Sequence, residues 1–277
     1  MNLFMRSIFK NKVTLFCFIF ILLILSMAIF APLLTQHSPT TMYKEHRLEG
    51  MSSEFLLGTD EFGRDMWSRI LYGARVSLLV GLSSVAISVF FGSIFGLLAG
   101  YFGRWIDSVI MRIMDTLFAF PEILLALAII AALGPGTINT VLAIGIVNIP
   151  VFTRLVRGAV LSIKNLEYVE SAKSMGASTK RILFSEIFPN VNAPLLVQST
   201  LAISGAILTE SALSFLGLGI QPPNPSWGAL ISEARQYMEL APGMIIWPCV
   251  AMTVTILAFN LFGDALRDLL DHSLKDK

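Results

Sequence analysis

The chain has 277 residues, of which 55% are hydrophobic and 14% are charged, and its net charge is +1. An ordinary soluble domain carries about 25% charged residues, so this composition excludes a water-soluble globule and indicates a membrane protein. The near-neutral charge gives no basis for binding nucleic acid. The two cysteines, Cys17 and Cys249, lie in apolar runs without metal-binding or redox spacing, and we interpret both as packing residues.

Long stretches without charge predict the membrane crossings, because a helix needs about 20 apolar residues to cross a bilayer and must satisfy its backbone internally. The first stretch is too long for the apolar core of a signal peptide, so we expect a retained signal anchor. A turn at Gly134, Pro135 and Gly136 divides a long apolar run into two helices. The six predicted crossings are 13–34, 76–103, two helices within 116–153, 187–215 and 240–263.

An apolar face at helical spacing precedes the second crossing, at the end of the first outer loop, 35–73. Its members are Met66, Trp67, Ile70, Leu71 and Ala74, and they lie opposite Asp65, Ser68 and Arg69. The pattern predicts an amphipathic helix that lies flat on the outer membrane surface.

Glycines repeat every four residues within the second crossing, at Gly92, Gly96 and Gly100. Four-residue spacing places them in one stripe along the helix. The stripe predicts a surface on which another helix backbone packs closely, as an ordinary helix contact.

Two carboxylates and two asparagines inside predicted crossings are candidate functional residues, because charged groups are costly there and usually functional. Glu122 lies close in sequence to Asp115 and Arg112, so it either lines a pathway or belongs to a structural pair near the cytoplasmic edge. Glu210 lies deeper, and both a substrate contact and a hydrogen-bonded structural carboxylate remain open. Asn148 and Asn260 are predicted to form hydrogen bonds between helices.

The loop between the fourth and fifth crossings is too polar to cross the membrane, yet its residues favour helix. Gly176 suits the left-handed conformation that ends a helix, and Ser178 suits the cap of the next one. Two short helices that meet at a glycine bend are therefore predicted on the cytoplasmic side. Taken alone, such a segment would by default be interpreted as an interfacial helix that merely connects two crossings.

A proline-rich stretch follows the fifth crossing, and a second apolar pattern begins after it. The pattern predicts a short amphipathic helix that either covers the outer mouth of a pathway or rests on the membrane interface. Its members are Trp227, Leu230, Ile231, Ala234 and Met238.

The distribution of lysine and arginine predicts the orientation, because cytoplasmic loops carry an excess of them. With the amino terminus inside, the predicted cytoplasmic segments hold 14 of these residues and the outer segments hold 5, while Arg75 lies at a membrane edge. Both termini are therefore predicted to be cytoplasmic.

The polar loop resembles the EAA loop of permeases from type I ATP-binding-cassette (ABC) importers. Glu170, Ser171 and Ala172 are followed after three residues by Gly176, and Pro189 lies at the far end. Three further stretches resemble the C-type permease of dipeptide, oligopeptide and nickel importers. They are LGTDEFGRD (57–65), SALSFLGLGIQPPNPSWGA (211–229) and AFNLFGDALRDLLD (258–271).

This resemblance implies an all-α membrane protein with six transmembrane helices and the type I importer permease fold. It divides the chain into an amino-terminal region (1–74), a permease domain (75–266) with the coupling loop at 166–189, and a cytoplasmic tail (267–277). In that family the loop docks into a groove on the ATPase subunit. The residues that the resemblance assigns to this coupling are Glu170, Ser171, Ala172, Met175, Gly176, Ala177 and Pro189.

The resemblance also implies partners: a B-type permease that completes a heterodimer, two ATP-binding subunits and an extracytoplasmic solute-binding protein. The chain lacks a phosphate-binding GxxxxGK[ST] stretch and has no recognisable catalytic or metal-ligand constellation, so ATP and magnesium are expected on the ATPase subunits and no cofactor on this chain. The implied location is the prokaryotic plasma (inner) membrane. The implied substrates are dipeptides, oligopeptides, glutathione, nickel or metal chelates of the opine type.

Two other classes of membrane protein compete with this interpretation. An ion-gradient-driven secondary transporter is expected to have inverted repeats and paired broken helices, and the sequence has no convincing second copy of any segment. A channel is expected to have a filter-like loop or rings of charge, which the sequence also lacks.

Overall fold

The computed structural model describes residues 12–275, with side chains up to residue 269. Within that range the chain folds into helices joined by turns and loops. The α-helices in chain order are α1 (Lys12–Ile29), α2 (Ala31–Leu34), α3 (Met66–Phe102), α4 (Arg104–Phe118), α5 (Glu122–Leu133), α6 (Thr137–Ile163), α7 (Glu167–Ser174), α8 (Thr179–Arg181), α9 (Phe188–Phe215), α10 (Trp227–Ala234) and α11 (Gly243–Lys275). A π-helical turn, Ile182–Ile187, joins α8 to α9, and short 3-10 turns lie at Lys44–His46 and Arg235–Tyr237.

Five stretches of helix are long and apolar enough to cross a bilayer. They are Lys12–Ile29, Met66–Phe102, Thr137–Ile163, Thr179–Phe215 and Gly243–Leu269. These five correspond to the first, second, fourth, fifth and sixth predicted crossings, and they confirm the all-α membrane fold.

The third predicted crossing is a bent pair of helices. α4 and α5 meet at an angle of 93°, and the chain makes six crossings only if the pair counts as one. Pro121 lies at the bend, where its ring disfavours helical backbone at the residue before it. α5 has 12 residues, which is about 18 Å of helix and much less than the 30 Å of a hydrocarbon core.

The glycine stripe forms the seam between α3 and α6, as its spacing predicted. A Cβ atom added at Gly96 would lie 2.6 Å from Cβ of Val156, and one added at Gly100 would lie 2.7 Å from Cβ of Val160. Only glycine permits this approach. Ser88 adds a hydrogen bond across the seam, because its hydroxyl donates to the carbonyl oxygen of Gly145 at 2.8 Å.

The prediction of a separate amphipathic helix at residues 66–74, lying flat on the outer membrane surface, is wrong. These residues are the first turns of α3, which continues without a break to Phe102 and runs through the predicted domain boundary at residue 74. Both faces are buried, since Arg69 is 1% exposed and Ser68 is 0% exposed. The apolar spacing was correctly identified as helical, but the opposite face meets other polar residues and not water.

Two ends of the bundle can be distinguished. We call the end formed by residues 35–65 and 216–242 the cap end. There α10 packs on α3, α9 and α11, with Trp227, Leu230 and Ala234 buried. The sequence left two positions open for this helix, over the outer mouth of a pathway or on the membrane interface. In the structure the helix packs against the bundle and does not rest on the membrane interface. The other end, formed by residues 164–187, we call the polar-loop end.

Candidate functional site

The polar loop has the local structure that its sequence predicted. α7 ends in a Schellman motif, in which the N–H of Ala177 donates to the carbonyl of Ala172 at 3.0 Å and the N–H of Gly176 donates to that of Lys173 at 2.9 Å. Gly176 has a φ of +79°, the left-handed region that favours glycine. Ser178 caps α8 by accepting the N–H of Arg181. The helix, glycine bend and serine cap are thus confirmed.

The loop presents most of its predicted coupling residues to solvent. Glu170, Ser171, Gly176 and Pro189 are exposed, and Met175 is 81% exposed. The remaining two predicted residues are the buried Ala172 and the half-buried Ala177. These two hold the loop in place, and the exposed five form a surface that is free for contact.

An open depression lies on this surface, and two of its residues were missed by sequence reasoning. Glu167 and Ser174 line it together with Glu170, Ser171 and Met175. Positions 167, 170, 171 and 174 have the spacing of a single helical face, so this periodicity could have identified them. The depression combines two carboxylates, two hydroxyls and one large apolar side chain.

The loop is fastened to the bundle at several points. Val169 and Ala172 of α7 are buried, and the π-helical turn that α7 contacts buries Ile182, Leu183 and Ile187. Lys164 donates from Nζ to the carbonyl of Gly100 at the end of α3, at 2.9 Å. The loop is therefore anchored to the bundle both by buried apolar side chains and by a hydrogen bond to α3.

Tyr168 adds a polar contact between α7 and α9. Its hydroxyl oxygen accepts a hydrogen bond from Nδ2 of Asn190 at 3.2 Å. Burial, together with the negative charge of Glu186, raises the pKa of the Tyr168 phenol, so the donor-bearing neutral form is favoured.

The π-helical turn is a feature that the sequence did not predict. It interrupts the α-helical hydrogen bonding between α8 and α9, within the last part of the polar loop. Turns of this kind occur mostly as single insertions within α-helices and often lie at functional sites. The turn places a local irregularity where the polar loop joins the 28-residue helix α9.

Glu210 is completely buried between helices at the cap end. Its Oε2 accepts a hydrogen bond from the Ser77 hydroxyl of α3 at 3.0 Å, and its Oε1 accepts one from the Ser214 hydroxyl at 2.7 Å. Of the two interpretations left open for this residue, the geometry of the chain favours the hydrogen-bonded structural carboxylate.

The other intramembrane candidates have less distinctive surroundings. Glu122 is exposed at the first turn of α5, where its Oε1 accepts a hydrogen bond from Thr209 of α9 at 3.1 Å. Asp115 instead pairs with Arg154 at 2.7 Å, so Glu122 is not part of that pair. Asn148 donates at 3.1 Å to the carbonyl of Ile144 in its own helix. That bond differs from the predicted contact between helices.

Asn260 is half-buried in α11, and the hydrogen bond between helices that was predicted for it is not among those seen in residues 12–269. Its role stays a prediction, as do the proposed roles of the polar-loop residues.

A charged cluster at the cap end was not predicted. Nε of Arg64 lies 2.5 Å from Oδ2 of Asp60, and Nη2 of Arg64 lies 3.1 Å from Oε2 of Glu233 in α10. Arg69 also reaches Glu233, at 2.6 Å. Burial raises the pKa of the neighbouring Glu61 carboxyl. The cluster joins the loop at 60–65 to α10 across more than 160 residues of sequence.

The same cluster brings three carboxylates together. Oxygen atoms of Asp60, Glu61 and Glu233 lie within 4.8 Å of one another, a spacing compatible with a metal ion. The guanidinium groups of Arg64 and Arg69 already contact all three of these carboxylates. Ion pairing therefore accounts for the arrangement without a metal.

Comparison with known proteins identifies two matching family models. Residues 92–276 match the model described as the binding-protein-dependent transport system inner membrane component. Residues 1–50 match the N-terminal transmembrane domain of oligopeptide transport permease C.

Relatives of known name match almost the full chain. The dipeptide transport system permease protein DppC of Alkalihalophilus pseudofirmus is 47% identical over 270 residues, which cover 98% of this chain and 89% of that protein. The di/tripeptide transport system permease protein DppC of Pseudomonas aeruginosa is 47% identical, with coverages of 99% and 92%. The glutathione transport system permease protein GsiD of Pectobacterium atrosepticum is 47% identical, with coverages of 98% and 91%.

A solved structure supports the fold. A chain of the inward-facing methionine ABC transporter MetNI superposes with a TM-score of 0.53 at 18% sequence identity, covering 69% of this chain and 94% of that one. At this identity the similarity concerns the fold alone.

Proposed function

Because this chain belongs to the family of binding-protein-dependent transport system inner membrane components, we propose that it forms half of the path by which short peptides enter a prokaryotic cell. It is a non-catalytic permease subunit of an ABC importer, and partner ATPases hydrolyse the ATP. The ion-gradient-driven alternative has no support from the relatives of the chain.

Short peptides are the proposed substrate class. The three relatives named above are permeases for dipeptides, for di- and tripeptides, and for glutathione, which is itself a tripeptide. None of these three carries nickel or a metal chelate in its name, so peptides are preferred over those cargoes.

The polar loop is the proposed contact with the ATPases. The observation that carries this proposal is Met175, a large apolar side chain that is 81% exposed beside Glu170 and Gly176. Burying a methionine side chain is worth about 1.5–3 kcal/mol, so a protein groove that covers it gains affinity. The Schellman motif fixes the direction in which Met175 projects, which suits a coupling element that must transmit a push.

A cytoplasmic polar loop determines the side of the membrane on which the remaining partners bind. With the polar loop in the cytoplasm, both termini are cytoplasmic and the cap end faces outward, where a solute-binding protein delivers substrate. A second, B-type permease supplies the other half of the path. The location is the plasma (inner) membrane.

The test is expression of the chain with its neighbouring transporter subunits, followed by ATPase co-purification and uptake of a labelled dipeptide. Met175→Glu should weaken ATPase binding about tenfold or more and abolish uptake, because a charge replaces the buried apolar contact. Met175→Leu, which keeps the apolar volume, should retain both activities. Lys180→Ala is the matched control in the same loop, because Lys180 is exposed and lies outside the depression.

Two results would contradict the proposal. Wild-type uptake by Met175→Glu, with normal ATPase association, would remove the coupling role. Labelling of a cysteine placed at position 175 by an impermeant reagent added to intact cells would reverse the orientation.

A further inference from the structure

We propose that Glu210 is a positioning residue that fastens α10 to α9 and α3, so that the cap-end helix moves together with the helix that leaves the polar loop. The joint movement of α10 and α9 rests on the proposed function, whereas the attachment of α10 to α9 and α3 rests on the contacts of Glu210. No substrate or cofactor contact is assigned to Glu210.

The carboxylate is the acceptor at the centre of the fastening. Hydroxyl groups of Ser77 on α3 and Ser214 on α9 both donate to it, at 3.0 and 2.7 Å. Glu210 is 0% exposed, so water does not compete for these bonds. One side chain therefore links two membrane helices.

The same two hydroxyls hold the backbone of the cap end. The N–H of Trp227, the first residue of α10, donates to Oγ of Ser77 at 3.3 Å. The N–H of Ile220 donates to Oγ of Ser214 at 3.1 Å. Each serine thus donates its hydrogen to Glu210 and offers a lone pair to a cap-end N–H.

A carboxyl group suits this arrangement, because each of its two oxygens can accept one serine hydrogen. Each serine oxygen then keeps a lone pair for a cap-end N–H. A glutamine offers one oxygen and one NH2 group, so one serine hydrogen loses its acceptor.

Close backbone packing supports the same assignment independently. A Cβ atom added at Gly228 would lie 2.4 Å from Cα of Ser211, so α10 begins in direct contact with the backbone of α9. The Trp227 indole is 1% exposed, and its Nε1 donates to the carbonyl of Ile70 at 3.2 Å. The start of α10 is therefore enclosed by α3 on one side and α9 on the other.

α9 connects this fastening to the opposite end of the bundle. It runs from Phe188 to Phe215 as 28 residues, which is about 42 Å of helix. Its first residues follow the π-helical turn that contacts α7. A movement of the polar loop that tilts or shifts α9 must carry α10 with it, provided that Glu210 holds.

The experiment measures amide hydrogen exchange of residues 220–234 by mass spectrometry in the assembled complex in lipid nanodiscs. Glu210→Gln and Ser77→Ala should each speed exchange at Trp227 and its neighbours about tenfold, because a buried hydrogen bond is lost. Ser84→Ala is the matched control. Ser84 is equally buried on α3, but its hydroxyl donates only to carbonyls of its own helix, at 2.8 and 3.1 Å.

The positioning role is tested by repeating the measurement with the ATPases trapped in their ATP-bound state by a non-hydrolysable analogue. In the wild type, exchange of residues 220–234 and of α9 should change together. In Glu210→Gln, α9 should still respond and residues 220–234 should not, and the ATP hydrolysed per peptide imported should rise. A purely structural role predicts loss of expression without this separation.

Several outcomes would overturn the inference. Unchanged exchange in both Glu210→Gln and Ser77→Ala would contradict the fastening. Equal responses of α10 in Glu210→Gln and the wild type would contradict the mechanical role. If Glu210→Gln does not fold, exchange at Ile220 in Ser77→Ala decides the question, because hydrogen bonds connect Ser77 to Ile220 through Glu210 and Ser214. Failure of the wild type to retain ATPases contradicts the proposed function, while the comparison without nucleotide still decides the fastening.

Discussion

Replacing Gly96 by alanine should destabilise the protein through the seam between α3 and α6. The added Cβ would lie 2.6 Å from Cβ of Val156 and 2.7 Å from the carbonyl oxygen of Thr153, both of which are too close. Overpacking of this kind costs about 1–3 kcal/mol. The backbone benefit of replacing a helical glycine by alanine is about 0.5–1 kcal/mol, so the net effect is a loss.

Gly158 provides the matched control on the facing helix α6. A Cβ atom added there meets nothing within 4 Å, so Gly158→Ala retains the backbone benefit without the clash. The difference between the two variants therefore isolates the overpacking cost, about 1–3 kcal/mol. Gly205 on α9 is equally open and serves as a second control.

The assay is reversible unfolding in mixed micelles by titration with sodium dodecyl sulfate, monitored by tryptophan fluorescence, with the free energy of unfolding as the measured quantity. Gly96→Ala should unfold at a lower detergent fraction than the wild type, and Gly158→Ala at the same or a higher one. Equal free energies for the two variants would refute the close packing of α3 on α6.

Four further predictions concern the two ends of the bundle. Gly176→Val should lose labelled-dipeptide uptake while Gly176→Asn retains part of it, because a left-handed residue costs about 1–2 kcal/mol except for glycine and, to a lesser degree, asparagine. Arg64→Ala should lower the free energy of unfolding by at most about 3–5 kcal/mol in the detergent titration, because the buried Asp60 loses its nearest cation and keeps only Arg69, at 3.4 Å. Arg154→Ala removes a pair exposed by 44% and 58% and should cost at most about 1 kcal/mol. Burial raises the pKa of Glu61, so the folded state keeps the Glu61 proton to a higher pH than the unfolded state does. Thermal stability should therefore fall as pH rises through that raised pKa. Glu61→Gln should flatten this pH dependence in melting curves.

Local signals in the sequence predicted a large part of the fold. Apolar length identified five crossings, four-residue spacing identified the α3 to α6 seam, and Gly176 with Ser178 identified the bend in the polar loop. Each of these depends on neighbours within one or two helical turns. The residues that form such contacts therefore lie within one short stretch of sequence, where their pattern can be recognised.

Features that depend on distant parts of the chain were not predictable in the same way. Arg69 was expected in water, but it is buried because Glu233, 164 residues away, supplies its partner. The position of α10 also required knowledge of Ser77 and Glu210, which lie on different helices. The bend at Pro121 was not predicted either, although its signal is local, because a proline in an apolar run favours a break in the helix.

The two kinds of contact made by α3 suggest how the bundle divides during transport. Lipid provides little hydrophobic driving force between helices, so close packing and hydrogen bonds decide which helices stay together. Toward the polar-loop end, α3 is joined to α6 by the glycine seam from Gly92 to Gly100. Toward the cap end, α3 is joined to α9 by the Ser77 bond to Glu210 and by Gly81 against Ile207. α9 is therefore held near its carboxyl end, and a push on the polar loop should displace its amino-terminal end, near the π-helical turn, more than the end at Glu210.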